Sequence, residues 1–247
     1  MELASAELQK LDALLSQSRN MLFLGGAGVS TESGIPDFRS RSAAGACKRR
    51  FGFEPQTILS AGFLNEEPEL FFSYYNDFLQ KALSAQPNAA HRALAEIEAR
   101  GRLNAVITQN IDELHERAGS KRVLKLHGSI GWNRCENCAA AYPADFMLHS
   151  DGVPRCTRCG ARVRPEVVLY DEPLDDYVLR SAKACMFSAD TLLLAGSSLK
   201  VYPAAALPEF FMGKHLIIIN KSRTPFDKQA ELLLRAPVAA VFEALGY

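Results

Sequence analysis

The feature that most limits the fold of this chain is the stretch MLFLGGAGVSTESGIPDFRS, Met21 to Ser40. An apolar run from Met21 to Leu24 ends in a glycine turn at Gly25, Gly26 and Gly28. A buried strand that hands over through glycines to a helix start is how a doubly wound sheet receives the phosphates of a dinucleotide. Backbone N–H groups approach an anion most closely where no Cβ intervenes. The fingerprint is incomplete, because Thr31 stands where its third glycine belongs. No second strand ending in Asp or Glu follows about 20 residues later to take the ribose hydroxyls. In its place comes SGIPDFR, a second glycine turn, a proline and an Asp-Phe-Arg run. The expectation is a dinucleotide site that does something besides holding its ligand.

Short apolar runs recur along the chain: LNAVITQ (Leu103–Gln109), RVLKLHG (Arg122–Gly128), EVVLY (Glu166–Tyr170), TLLLAG (Thr191–Gly196) and HLIIIN (His215–Asn220). Helical patterns separate most of them. The clearest is NAAHRALAEIEARG, with Asn88 as N-cap and Gly101 as stop. This alternation predicts an α/β fold with a doubly wound, Rossmann-like parallel sheet. Two segments break it: residues 41–83 read as loop and helix only, and residues 131–163 carry cysteines and few apolar runs. We expect these to form a smaller domain made of a helical insert and a zinc-binding module. Residues 1–40, 84–130 and 164–247 then form the discontinuous Rossmann-like dinucleotide-binding domain. The N-terminus MELASAELQKLDALL has an amphipathic helix pattern with Leu8, Leu11 and Leu15 on one face, unlike a signal peptide.

Lys and Arg number 28 and Asp and Glu 28, so composition supplies no electrostatic case for nucleic acid or an anionic membrane. No apolar run approaches the roughly 20 residues that span a bilayer. A cytoplasmic monomer without nucleic-acid or membrane partners is expected. Four of the six cysteines are spaced Cys135-x2-Cys138-x17-Cys156-x2-Cys159. Two such knuckles place four thiolates tetrahedrally about Zn2+, and four protein ligands leave no open position for catalysis. A redox pair is the competing reading, but it needs one CxxC at a helix start rather than two knuckles. Of the remaining cysteines, Cys185 sits in a helical pattern and is expected in the core.

The ordered set GAGVSTESGIPDFR (Gly26–Arg39), TQNID (Thr108–Asp112), LHG (Leu126–Gly128), the four cysteines, GSSL (Gly196–Leu199) and IIN (Ile218–Asn220) resembles the sirtuins, NAD-dependent protein lysine deacylases. The likeness runs from Met21 to about Leu234 and is greatest to the compact bacterial members. It implies that NAD is a co-substrate, cut between nicotinamide and ribose. Gly26, Ala27, Gly28 and Thr31 would cradle the pyrophosphate. Phe38 and Arg39 would begin a mobile lid that shields the reacting ribose from water. Gln109 and Asn110 would hold the ribose and its water network, and Ile111 and Asp112 the nicotinamide. Gly196, Ser197 and Ser198 would meet phosphate or ribose, and Asn220 the adenine ribose. His127 would be the base that deprotonates a ribose hydroxyl, with Asn110 beside it. The products would be free lysine, nicotinamide and O-acyl-ADP-ribose. The segment RPEVVLYDE (Arg164–Glu172) would pair with the backbone of the acylated peptide. Mono-ADP-ribosyl transfer on the same scaffold, or a non-enzymatic NAD-sensing zinc module, are the alternatives.

The sequence departs from the family pattern in places. Many members have glycine where Glu113 and Asp171 stand here; the first is expected to be an unremarkable helix position, the second to add charge beside the cleft. Cys47 falls near an aromatic lid position. Members that prefer succinyl or malonyl lysine carry a tyrosine and, three residues on, an arginine. Here Tyr75 and Phe78 hold those places, which implies a preference for neutral acyl groups. His115 is expected to support the site, and His91, His149 and His215 to lie at the surface.

Overall fold

The computed structural model describes residues 5–38 and 40–247. Its strands are β1 (Met21–Gly25), β2 (Leu103–Thr108), β3 (Val123–Lys125), β4 (Gly128–Cys135), β5 (Ala141–Pro143), β6 (Val163–Val167), β7 (Thr191–Ala195), β8 (His215–Ile219) and β9 (Leu232–Leu234). Its α-helices are α1 (Ser5–Gln17), α2 (Arg41–Phe51), α3 (Pro55–Ile58), α4 (Ala61–Glu66), α5 (Pro68–Ser84), α6 (Ala89–Ala99), α7 (Leu114–Ala118), α8 (Asp145–Leu148), α9 (Asp176–Ser188) and α10 (Val238–Ala244). Among the described residues, no helix is long and apolar enough to cross a membrane.

Six strands form one sheet in the order β3-β2-β1-β7-β8-β9, and every pairing in it is parallel. Side chains alternate across it. Phe23, Val106, Leu193 and Ile217 pack with Leu11, Leu14 and Leu15 of α1, Leu94 and Ile97 of α6 and Phe242 of α10. Leu22, Leu24, Ile107, Leu192, Leu194 and Ile218 face the other way, onto Cys185 and Met186 of α9. Both faces are covered, which is why the strands read as continuous apolar runs rather than as an alternating pattern. The chain leaves β1 for β2 on one side and returns to β7 on the other. The topological switch therefore falls between β1 and β7, where a crevice opens at their carboxyl ends.

A three-stranded antiparallel sheet, β5-β4-β6, lies apart from this one. Its cysteines share a core with the helical insert: Cys135, Cys156, Val163 and Met147 pack in one cluster with Phe71, Phe72, Tyr75 and Leu79 of α5.

Three expectations are corrected. The run Glu166–Tyr170 does not join the parallel sheet; the strand there is β6, which pairs with β4. The sixth parallel strand is β9, whose three residues are too few to stand out as a periodic run. The glycine turn after β1 leads not into a long helix but into two 3-10 turns, Ala27–Val29 and Thr31–Ser33.

Candidate active site

One cavity opens at the carboxyl ends of β1, β2 and β7. Of the residues singled out in the sequence, Gly26, Ala27, Phe38, Gln109, Asn110, Ile111, Asp112, His127, Gly196, Ser197 and Ser198 line it. Gly28, Thr31 and Asn220 do not reach its wall, and Arg39 lies outside the described residues. Across the cavity stand Leu59, Tyr75 and Phe78, with the segment from Val167 to Glu172 along one side.

The glycines act first within the protein. Gly28 N–H donates to the Gly196 carbonyl at 2.8 Å, and a Cβ on Gly28 would lie 2.7 Å from Gly196 Cα. The loops after β1 and β7 thus meet backbone to backbone, and only glycine permits the approach. Gly26 and Ser30 N–H groups are likewise spent on Ala195 and Ala27 carbonyls. Thr31 turns its hydroxyl back onto the Gly28 carbonyl at 3.1 Å. Asn220, at the end of β8, donates to the Ser222 carbonyl at 2.9 Å.

His127 follows β3, and its Nδ1 stands 2.8 Å from the Gln109 carbonyl. A carbonyl only accepts, so Nδ1 carries a proton, and in the neutral ring Nε2 is then the nitrogen with the lone pair. Gly128 after it has φ +75°, and a Cβ there would lie 2.2 Å from the Glu166 carbonyl oxygen. The His-Gly dipeptide is therefore a ring held by one strand end and a backbone pressed onto another.

Ser30 was not singled out in the sequence, and it joins the polar groups of the site. Its hydroxyl donates to Asp112 Oδ2 at 2.6 Å and accepts from Asn110 Nδ2 at 2.9 Å. Asp112 also accepts the Leu114 N–H at 3.0 Å, so it caps α7 while facing the cavity. Burial pushes its carboxyl above the usual range, against the pull of those two hydrogen bonds. Gln109 Nε2 donates to Ser197 Oγ at 2.9 Å, tying the ends of β2 and β7 together. Behind this network His91 is fully buried rather than at the surface, and burial pushes its pKa down to about 4. It sits at the third position of α6, in a capping box with Asn88, and its Nε2 lies 3.5 Å from Ser30 Oγ. His115 packs on it at 4.7 Å between ring centroids, and burial also pushes its pKa down. The capping-box spacing from Asn88 to His91 was the available sequence signal that this ring turns inward.

The Sγ atoms of Cys135, Cys138, Cys156 and Cys159 all lie within 4.8 Å of one another. Cys135 and Cys159 are 3.5 Å apart, and Cys138 and Cys156 3.6 Å. A tetrahedron with Zn–S of about 2.3 Å has edges of about 3.8 Å, so the four atoms fit one zinc ion. The two knuckles repeat each other: Ala139 and Gly160 both have positive φ and donate N–H groups back to the Cys135 and Cys156 carbonyls. Tyr142 donates its hydroxyl to Cys156 Sγ at 3.1 Å, which steadies a thiolate.

The family model described as Sir2 family matches residues 26–203. The chain belongs to the Sir2 family. Its relatives include an NAD-dependent protein deacetylase of Clostridium perfringens, 48% identical over 95% of this chain and 96% of that protein. A solved Sir2 with a p53 peptide and NAD+ superposes with a TM-score of 0.86 at 38% identity, covering 96% of each chain. A Sir2 variant holding a deacetylated p53 peptide and 3'-O-acetyl-ADP-ribose gives a TM-score of 0.88 at 37% identity, again covering 96% of each chain.

Two of the departures from the Sir2 pattern are at special backbone positions. Glu113 has φ 61° and Asp171 φ 72°, the left-handed region that glycine occupies freely. The expectation that Glu113 is an unremarkable helix position is corrected. It is the residue before α7, and its carboxylate accepts from Ser129 Oγ and from Lys125 Nζ, the latter at 3.4 Å. It fills the space beside Gly131, where a Cβ would lie 2.4 Å from Glu113 Oε1. Cys47 lies within α2 and is buried, and burial raises its thiol pKa. It is a packed core thiol in this Sir2 chain.

Proposed function

We propose that this protein is an NAD-dependent protein lysine deacetylase that moves the acyl group from lysine to ADP-ribose and releases nicotinamide. The observation that carries the reading is the placement of His127 and the Ser30–Asn110–Asp112 network on one cavity at the β1/β7 switch point. NAD, when bound, supplies an electrophilic ribose carbon and a leaving group. The chain's own residues then have distinct tasks. His127 Nε2 takes the proton of a ribose hydroxyl, because Nδ1 is fixed on the Gln109 carbonyl. Asp112 and Ile111 hold the nicotinamide carboxamide, and Asn110 and Gln109 orient the ribose. Ala27, Ser197 and Ser198 offer backbone and hydroxyl donors to the phosphates, and Gly26 and Gly196, whose own N–H groups are bonded to the Ala195 and Ile219 carbonyls, let the phosphates approach without a Cβ in the way; among the described residues no Lys or Arg lines the cavity. Asn220 takes the adenine ribose. Phe38, whose ring lies 4.9 Å from that of Phe78, closes the nicotinamide side against water.

The peptide enters beside Val167–Asp171, where Tyr170 is already bonded through its backbone to Leu59 and Ala61. Residues 41–83 and the β5-β4-β6 sheet, residues 128–167, form the smaller domain and the remainder the NAD-binding domain, the two facing each other across the cavity. Cys135, Cys138, Cys156 and Cys159 hold one zinc ion that does no chemistry, since all four positions are protein ligands. The test is nicotinamide release measured with and without an acetyl-lysine peptide. The expected result is peptide-dependent release with O-acetyl-ADP-ribose as co-product. ADP-ribose label retained on protein would instead favour ADP-ribosyl transfer.

A further inference from the structure

His127 stands two residues after Lys125 and two before Ser129, and both of these neighbours bond to one carboxylate. Ser129 Oγ donates to Glu113 Oε1, and Lys125 Nζ lies 3.4 Å from the same oxygen and 3.0 Å from Glu116 Oε1. Gly131 completes the arrangement. Its N–H donates to Ser129 Oγ at 3.1 Å, and it leaves the room that Glu113 fills, since a Cβ there would lie 2.4 Å from Glu113 Oε1. The chain on either side of His127 is thus drawn onto the residue that follows Asp112.

Glu113 reaches this place in a strained conformation. Its φ of 61° lies in the left-handed region, where glycine sits freely and a residue with a Cβ does not. Strain held beside reacting groups calls for a task that the side chain performs. The two segments that Glu113 joins are the ones that orient the ring of His127, whose Nδ1 is 2.8 Å from the Gln109 carbonyl. The position of the ring therefore depends on how closely residues 109–113 lie against residues 125–129. Backbone bonds set part of that distance: Leu126 N–H donates to the Thr108 carbonyl at 2.9 Å and Ile130 N–H to the Ile111 carbonyl at 3.0 Å. Between these two bonds, Glu113 adds its side-chain bonds to Lys125 and Ser129. Asp112 is secured separately, on Ser30 and on the Leu114 N–H.

Resting on the deacetylase reading above, we infer that Glu113 is a positioning residue for the base: by holding Lys125 and Ser129 it keeps His127 Nε2 where a ribose hydroxyl gives up its proton. Proton removal depends on sub-ångström placement of the base, so a loosened ring slows that step while leaving the binding of both substrates in place.

The experiment uses the full chain and one acetyl-lysine peptide, and compares the native protein with Glu113→Gly, Glu113→Gln, Ser129→Ala and the double variant of Glu113→Gly with Ser129→Ala. In Glu113→Gly kcat is expected to fall roughly 5- to 10-fold, because the backbone bonds still hold the segments near each other. The KM values for peptide and NAD are expected to change by less than about 2-fold. The melting temperature should stay within about 3 °C of native, since glycine relieves the strained φ as the carboxylate is lost. Glu113→Gln keeps an acceptor for Ser129 Oγ and is expected to retain kcat within about 2-fold. Ser129→Ala should lose kcat to the same extent as Glu113→Gly, and the double variant no more than either, because both cut one connection. In a single turnover the loss should fall on formation of the free-lysine peptide and not on nicotinamide release, as the hydroxyl proton is taken after nicotinamide has left. Native-like kcat in Glu113→Gly, losses that multiply in the double variant, or nicotinamide release slowed as much as deacetylation each overturn the role of Glu113, while turnover by the native protein keeps the deacetylase reading intact. A kcat loss that glutamine does not rescue and that follows a fall in melting temperature means a merely structural carboxylate and overturns it as well. A native chain that releases no nicotinamide in the presence of the peptide overturns both readings.

Discussion

On the strand-end wall of the cavity the polar atoms are bonded to one another before any ligand arrives: Ser30 to Asn110 and Asp112, Gln109 to Ser197, His127 to the Gln109 carbonyl. On the helical wall aromatic rings pack against one another, and the buried Tyr75 hydroxyl has no hydrogen-bond partner. The first arrangement suits chemistry, which needs groups fixed in advance of the transition state. The second suits selection, because an apolar surface discriminates by the apolar area a ligand brings to it. The walls also differ in what holds them. The strand ends are fixed by six strands in parallel register, whereas the helical wall shares its core with Cys135, Cys138 and Cys156 of the cysteine cluster.

The largest effect separates these two supports. Cys135→Ala or Cys159→Ala is expected to lose zinc, unfold the β5-β4-β6 sheet and abolish deacetylation, because structural zinc contributes roughly 10–16 kcal/mol in small modules. Zinc content and near-ultraviolet circular dichroism would show it, and an active, zinc-free variant would break the comparison. Next is the base. His127→Ala should lose about 100-fold or more in turnover while the NAD dissociation constant changes far less, since the strand-end donors remain. Near-native turnover would remove His127 from the chemistry.

A third test concerns what stands behind the strand-end wall. The folded pKa of His91, about 4, lies below the usual 6.5, so the unfolded chain takes up this proton first. The contribution of His91 is therefore present above pH 6.5 and is lost as pH falls toward 4, by an amount on the order of 3 kcal/mol. His115 acts in the same direction; Asp112, with its raised pKa, opposes them over the carboxylate range. Urea unfolding of His91→Asn at pH 7 and 4.5 should show a shallower loss of stability than the native chain. Equal slopes would mean that the buried ring does not titrate with folding.

Smaller effects sharpen the picture of the glycine contact and of the cleft mouth. Gly28→Ala forces a Cβ to 2.7 Å from Gly196 Cα and should cost about 1–3 kcal/mol in urea unfolding. Asp171→Gly removes a left-handed aspartate and should raise stability by less than about 1 kcal/mol, the glycine's extra unfolded-state entropy offsetting part of the gain. A lower melting temperature for that variant would mean that the carboxylate is held by contacts at the mouth.

The sequence by itself determined the parts that are local. An apolar run ending in glycines, a histidine followed by glycine after a short strand and two CxxC knuckles each specify a backbone shape within a few residues, and these recur in the structure as β1 and its turn, His127 after β3 and the thiolate cluster. Polar residues placed just beyond apolar runs were legible as site residues because a parallel sheet brings its carboxyl ends to one edge. What only tertiary structure decided depends on residues far apart in the chain. Ser30 becomes a junction because β2 delivers Asn110 and Asp112 beside it, and His91 is buried because α6 docks on the sheet. β6 joins β4 rather than the parallel sheet because the cysteines of the two segments converge. Tyr75 faces a cavity rather than a closed core because α5 meets the strand ends across a gap. Periodicity marks which residues are buried, but which buried polar atom finds a partner is settled by the elements that pack around it.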